Sequence, residues 1–254
     1  MTGATSGIGA AFAAELPKTT DLLLTGRDAD KLAAAQSALA RVGRTVETMV
    51  ADLGDEAAVQ TLIDRAERFG IDLLINNAGT GRLGAVIDNA PEAERETVMV
   101  NVVAVVALTR GLLPGIIARA RKGRRRGGVI IVSSTAAFAP VPFFATYAAS
   151  KAFDLHFAEA LAEELRDRPV DVLALCPGAT RTAFGTRAGY ESGSVPGATD
   201  PASVARQGLA ALGGRSVHVT GFINQLGLGP LLAPRRLVAG TIGAAVRLFG
   251  GRSG

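Results

Sequence analysis

Apolar runs of strand length alternate with amphipathic stretches along most of the chain. Residues 21–25 (DLLLT) read as a short strand, and 28–42 follow with helical spacing and stop at Gly43. Residues 45–50 give a second strand and 55–69 a helix closed by Gly70; 71–75 (IDLLI) give a third strand. Pro91 opens a long helix running to about Ala120. A fourth strand at 129–132 (VIIV) precedes a helix at 146–167, which ends before Pro169. Residues 170–175 form a fifth strand, Asp200 and Pro201 open a helix to about Leu212, and 216–220 form a last short strand.

Strands separated by helices imply right-handed crossovers and a parallel sheet covered on both faces. The apolar runs in IDLLI, after its Asp72, and in VIIV suit strands buried on both sides. The expected fold is therefore α/β, a single doubly wound Rossmann-type parallel sheet, which binds its ligand beyond the carboxyl ends of the strands. No linker or repeat divides residues 1–254, so one dinucleotide-binding and catalytic domain is expected, with 221–254 as an extension packed on it. In its tail, Val238, Ile242, Val246 and Phe249 fall near one helical face. That face suits docking on the domain or at a subunit interface, with a weak membrane-surface contact as the alternative.

Composition narrows the function. Hydrophobic residues are 48% and charged residues 20% of 254, which is ordinary for a folded chain. One cysteine, Cys176, and two distant histidines, His156 and His218, exclude an internal disulfide and a Cys/His zinc site. Both histidines read as packing residues, and Cys176 as a buried small side chain. Trp is absent and aromatics are 5%, too few for a base-stacking surface. The net charge of +4 is local: Arg119, Arg121, Lys122, Arg124, Arg125 and Arg126 crowd one loop, and without these six it would be −2. A solvated loop, with no nucleic-acid partner, is the reading. Residues 127–150 carry no charge over a bilayer's length, but Ala139-Pro140-Val141-Pro142 breaks them into strand, loop and helix start. With no secretory signal, the cytoplasm is the expected location.

Three groups of residues suggest chemistry. Gly3, Gly7 and Gly9 precede a helix-like run; glycine permits a tight turn and close approach to a pyrophosphate at a helix N-terminus. The strand that should precede this turn is missing, so the first strand is expected to be truncated, leaving its neighbours with unpaired backbone groups. Tyr147 and Lys151 stand four residues apart on one helical face, where the ammonium favours the phenolate. Ser134 lies thirteen residues before Tyr147, at the carboxyl end of a strand.

These pieces, with Asp52-Leu53, Asn76-Asn77-Ala78-Gly79, Asn101 and Pro177-Gly178 followed by Thr180 and Thr182, occur in an order that resembles the short-chain dehydrogenase/reductase family over roughly residues 2 to 220. The resemblance implies that Tyr147 is the general acid or base, Lys151 lowers its pKa and holds the nicotinamide ribose, and Ser134 polarises the carbonyl. It further implies that Asn101 holds a water linking Lys151 to solvent. Gly3, Ser6, Gly7, Ile8 and Gly9 would cradle the pyrophosphate. Asp52 and Leu53 would meet the adenine, with a helix N-cap as the competing role for Asp52. Asn77, Ala78 and Gly79 would pass under the adenosine ribose. Pro177, Gly178, Thr180 and Thr182 would flank the nicotinamide and phosphates.

Where NAD-binding members carry an acid after the second strand, this chain has Thr25-Gly26-Arg27. An Arg beside an open position suits a 2′-phosphate, so the expected cofactor is NADP(H). Asp28, nearby, reads as a helix N-cap. Phe138, Val141, Phe143, Phe144, Phe184 and Tyr190 suggest an apolar pocket for a lipophilic ketone or aldehyde, with core packing as the alternative; the chain looks similar to a bacterial general carbonyl-reductase subgroup. Small-molecule carbonyl or alcohol substrates and a homodimer or homotetramer are the implied partners. Rival readings are an inactive NADP-binding sensor and an NAD-dependent alcohol dehydrogenase.

Overall fold

The computed structural model describes residues 1–189, 197–221, 224, 237, 238 and 241. Tyr190 and most of the 221–254 extension, including Ile242, Val246 and Phe249 of its tail, lie outside the described residues.

The elements run α1 (Gly7–Glu15), β1 (Leu22–Gly26), α2 (Ala29–Leu39), β2 (Val46–Val50), α3 (Glu56–Phe69), β3 (Leu73–Asn76) and α4 (Pro91–Val98). After a π-helical turn (Met99–Val103) come α5 (Ala104–Gly123) and β4 (Gly127–Val132), then a 3-10 turn (Thr135–Phe138). The chain continues through α6 (Ala145–Glu164), β5 (Val170–Cys176), α7 (Phe184–Ala188), α8 (Pro201–Ala211) and β6 (Val217–Val219). Local chemistry sets the helix ends. Asp28, Asp55 and Asp200 each accept a first-turn amide proton, and Gly70 closes α3 in the left-handed region, where glycine has no Cβ to clash.

All strand pairs are parallel. β1 pairs with β2, and β3-β4-β5-β6 form a second run. Met1–Ala4 joins the two. Thr25 N–H donates to Met1 O at 3.0 Å and Ala4 N–H to Thr25 O at 3.1 Å, while Thr2 N–H donates to Ile75 O at 3.0 Å. The first strand is thus reduced to a bridge at the carboxyl ends of β1 and β3, as the sequence led one to expect. Part of the expected deficit is nevertheless met there, because those ends find backbone partners.

Two apolar clusters cover the sheet, which is why the strand sequences do not alternate. On one face Leu74, Val129, Ile131, Val172 and Ala174 pack with α3, α5 and α6. On the other, Ile75, Ile130, Leu173 and Leu175 pack with Phe12 of α1 and Val204 of α8. The continuous helical stretch 91–123 is apolar and long enough to cross a bilayer. Its inner side, including Leu108, Leu112 and Ile116, is buried in the first cluster. The uncharged stretch 127–150 resolves, as expected, into β4, a turn and the start of α6. Arg119, Arg125 and Arg126 of the basic segment pair with Glu67, Asp72 and Asp171 beside the strands' amino ends. His218 is half-buried beside Gln207, at 3.2 Å, but His156 is exposed, against the expectation of packing: it lies on the outer side of α6.

Candidate active site

A cleft of about 400 Å³ opens over the carboxyl ends of the strands. Each strand ending there contributes the residues that follow it, because parallel strands deliver all their exits to one edge.

The glycine turn forms one wall. Gly3 and Gly7 have φ of +62° and +56°, a region costly for other residues. A Cβ on Gly3 would stand 2.9 Å from Ala78 Cα, and one on Gly7 2.8 Å from Thr182 Cγ2. Ser6 makes no side-chain cap bond at the start of α1, which leaves the first amides of that helix to the cleft. Unpaired amides plus the helix dipole suit an anion. The turn is fixed by Thr2, whose Oγ1 accepts from Asn77 N–H at 2.9 Å and Ala78 N–H at 3.0 Å. Gly9 is not among the residues that line the cleft. Its Cβ would lie 2.2 Å from Gly3 O, so its smallness lets α1 close onto the turn.

Arg27, Asp52 and Leu53 line the outer end of the cleft, and Asn77, Ala78 and Gly79 its floor. Asp52 accepts from Gly54 N–H at 2.9 Å, while Asp55 supplies the cap of α3, so the competing role is taken by its neighbour. Arg27 Nη1 meets Glu96 Oε1 of α4 at 2.6 Å. A Cβ on Gly26 would come within 3.0 Å of Thr5 Cγ2, so an acidic side chain at that position would press on the glycine turn.

At the inner end, α6 presents Tyr147, Ser150, Lys151 and Asp154 on one side, the consequence of i, i+3 and i+4 spacing. Tyr147 stacks on Phe144, with centroids 4.4 Å apart, and lies 5.2 Å from the Phe184 ring of α7. Gly81 closes the third side; its Cβ would stand 2.8 Å from Tyr147 Cδ2. Burial pushes the phenol above the ordinary tyrosine range, while the Lys151 charge and the Ser134 hydroxyl pull it down. Ser134 follows β4 as the N-cap of the 3-10 turn and accepts from Ala136 N–H at 3.1 Å. Ser133, facing the other way, donates to Lys151 O at 2.7 Å. Lys151 Nζ donates to Val132 O and to Asp154 Oδ2, each at 2.9 Å.

Asn101 is wholly buried in the π-helical turn and does not line the cleft. Its side chain clamps Thr80, accepting from N–H at 3.0 Å and donating to O at 2.9 Å, and donates to Ser150 Oγ at 2.9 Å. Pro177, Gly178, Thr180 and Thr182 line the wall after β5. Among the aromatic candidates, Phe144 and Phe184 line the cleft, Phe138 packs against the core, and Phe143 is exposed with φ of +63°. Sequence reasoning missed Glu96, Gly81 and Asp154. Only Asp154 carried a signal, its i+3 spacing from Lys151. The others come near the cleft through tertiary contacts.

The cleft has room and chemistry for a dinucleotide: free amides at a helix start, an arginine at the outer end, small residues along the floor, and a phenol with an ammonium at the inner end. Comparison with known proteins agrees. The family model described as short chain dehydrogenase matches residues 1–191. The chain is 32% identical to bovine dehydrogenase/reductase SDR family member 7B over 237 residues, which are 86% of this chain and 71% of that protein. Among solved structures, a short-chain dehydrogenase from Sphingobium yanoikuyae in complex with NADPH superposes with a TM-score of 0.77 at 28% identity, covering 100% of this chain and 95% of the other. A bulky-bulky ketone specific alcohol dehydrogenase from Comamonas testosteroni gives 0.76 at 26% identity, covering 94% and 91%.

Proposed function

Because this chain belongs to the short-chain dehydrogenase family, an oxidoreductase family whose solved members include NADPH- and NADH-bound forms, we propose that it is an NADP(H)-dependent reductase of lipophilic ketones or aldehydes with Tyr147 as its general acid. The observation that carries the reading is the convergence of Ser134, Tyr147 and Lys151 at the inner end of a cleft whose outer end holds Arg27, with Gly26 where NAD-binding members carry an acid.

When bound, the nicotinamide supplies the hydride in reduction and accepts it in oxidation. The α1 start would hold the diphosphate, Arg27 the 2′-phosphate, Asp52 and Leu53 the adenine, and Lys151 with Thr180 the nicotinamide end. The Ser134 hydroxyl orients the carbonyl oxygen. Tyr147 gives its phenolic proton to that oxygen, and Lys151 stabilises the phenolate left behind. Phe144, Phe184 and Gly81 keep water from the phenol and favour an apolar substrate body, a preference supported by the bulky-ketone specificity named for one structural relative. Asn101 holds Thr80 and Ser150, and so the floor beside Lys151.

A cytoplasmic, homo-oligomeric, single-domain enzyme completes the proposal. The test is oxidation of NADPH and NADH by the purified protein with a panel of aliphatic, aryl and bulky bicyclic ketones. Turnover of apolar ketones with NADPH preferred is expected. Absence of turnover with either cofactor, with tight NADPH binding, would favour the sensor reading instead.

A further inference from the structure

Among the described ion pairs, Lys151–Asp154 alone has both side chains buried, at 5% and 0% exposure. The other pairs each expose at least one partner widely. A buried pair is a poor source of stability, because desolvation offsets the attraction, so its placement calls for another explanation.

That placement is specific. An ammonium has three N–H donors. Two of those on Lys151 are directed at Val132 O of β4 and Asp154 Oδ2 of α6, both at 2.9 Å. These are fixed points on the scaffold. The third is left for the cleft, which Lys151 lines, with the Tyr147 ring centroid 5.9 Å from Nζ. Asp154 is equally committed. Its Oδ1 is buried without a partner among the described residues, so Lys151 is its one counter-ion there.

We infer that Asp154 is a positioning residue for the reaction: it pins the Lys151 ammonium between β4 and α6, holds it charged in a buried place, and directs its remaining donor at the cleft. This rests on the catalytic reading of Lys151 given above. The electrostatics agree. Burial pulls the Lys151 pKa down, yet the Asp154 carboxylate, with Tyr147, holds it above the ordinary lysine value. The same carboxylate also raises the Tyr147 phenol. The other groups within reach are Cys176 of β5, a thiol pushed by burial to about 12 and hence neutral, and Glu159 of α6, which acts on Cys176. Removing the Asp154 charge therefore lowers the pH at which both Lys151 and Tyr147 release their protons.

The test follows the lysine ammonium signals of the cofactor-free protein by nitrogen-15 NMR, with Lys151→Ala identifying the relevant one. In the unaltered protein Lys151 should titrate above the ordinary value of about 10.4; titration at or below it overturns the inference without any variant. In Asp154→Asn the titration should fall by about one unit or more, and Asp154→Glu should restore most of it. An unmoved titration in folded Asp154→Asn also overturns it. In the loaded enzyme the alkaline limb of the reductive pH profile should move down with the NMR value; a uniform loss of rate with the limb in place would mean a merely structural residue. Failure of carbonyl reduction would sink the proposed function and leave the NMR result standing, and the converse holds equally.

Discussion

Arg27 and Glu96 close the outer end of the cleft, guanidinium Nη1 against carboxylate Oε1 at 2.6 Å. The residue expected to bind a 2′-phosphate is thus already held by a carboxylate from α4. A phosphate arriving there meets both the cation and its competitor. Exposed pairs of this kind are worth about 0.2–1 kcal/mol. Glu96→Gln should therefore tighten NADPH binding by roughly 1.5- to 5-fold and leave NADH nearly unchanged, whereas Arg27→Ala should weaken NADPH selectively. Fluorescence titration of both cofactors measures this. If Glu96→Gln weakens NADPH as Arg27→Ala does, Glu96 aligns the arginine rather than competing for it.

Asn101 makes three side-chain hydrogen bonds in a wholly buried position. Asn101→Ala leaves the amide and carbonyl of Thr80 without them. Each buried group left unpaired costs about 1–3 kcal/mol. A loss of about 2–4 kcal/mol in urea unfolding is expected. A change below about 0.5 kcal/mol, the ordinary scatter of neutral surface changes, would mean that the clamp is dispensable.

Gly81→Ala brings a methyl to within 2.8 Å of the Tyr147 ring. The phenol must shift, while the cofactor wall is untouched. Displacing a reacting group by about an ångström can cost around a hundredfold in rate. The expected result is a kcat at least about tenfold lower with NADPH affinity kept. Unchanged kcat would show that the ring is not confined at its working position.

Burial holds the Tyr147 phenol above its ordinary value despite Lys151. The acid form therefore persists through neutrality, the form that reduction needs. Reductive turnover should stay level between about pH 6 and about pH 8 and fall on the alkaline side, while oxidation rises there. A reductive profile that climbs toward alkaline pH would contradict the assignment.

The parallel sheet was legible because VIIV and the residues after Asp72 in IDLLI are apolar throughout, which two-sided burial requires. The spacing of Tyr147 and Lys151 placed them on one face of α6, and Asp28 and Asp55 marked helix starts where they stand. The π-helical turn around Asn101 was not legible: it interrupts a pattern that reads as one helix, and the Thr80 that Asn101 clamps lies in a distant segment. The packing of Gly9 against Gly3 was not legible because glycine serves both close ligand approach and close helix packing, and spacing alone does not separate the two. Glu96 and Gly81 act on the cleft from distant segments, which local pattern does not reveal.

The most direct measurement is the single-turnover and steady-state rate of NADPH oxidation by Tyr147→Phe with a ketone that the unaltered protein reduces, beside the NADPH dissociation constant. Removing one phenolic oxygen should lower the rate by about 10²–10⁴-fold, the usual contribution of a general acid, and leave NADPH binding within about threefold. A variant that keeps more than about a tenth of the rate would contradict Tyr147 as the proton donor.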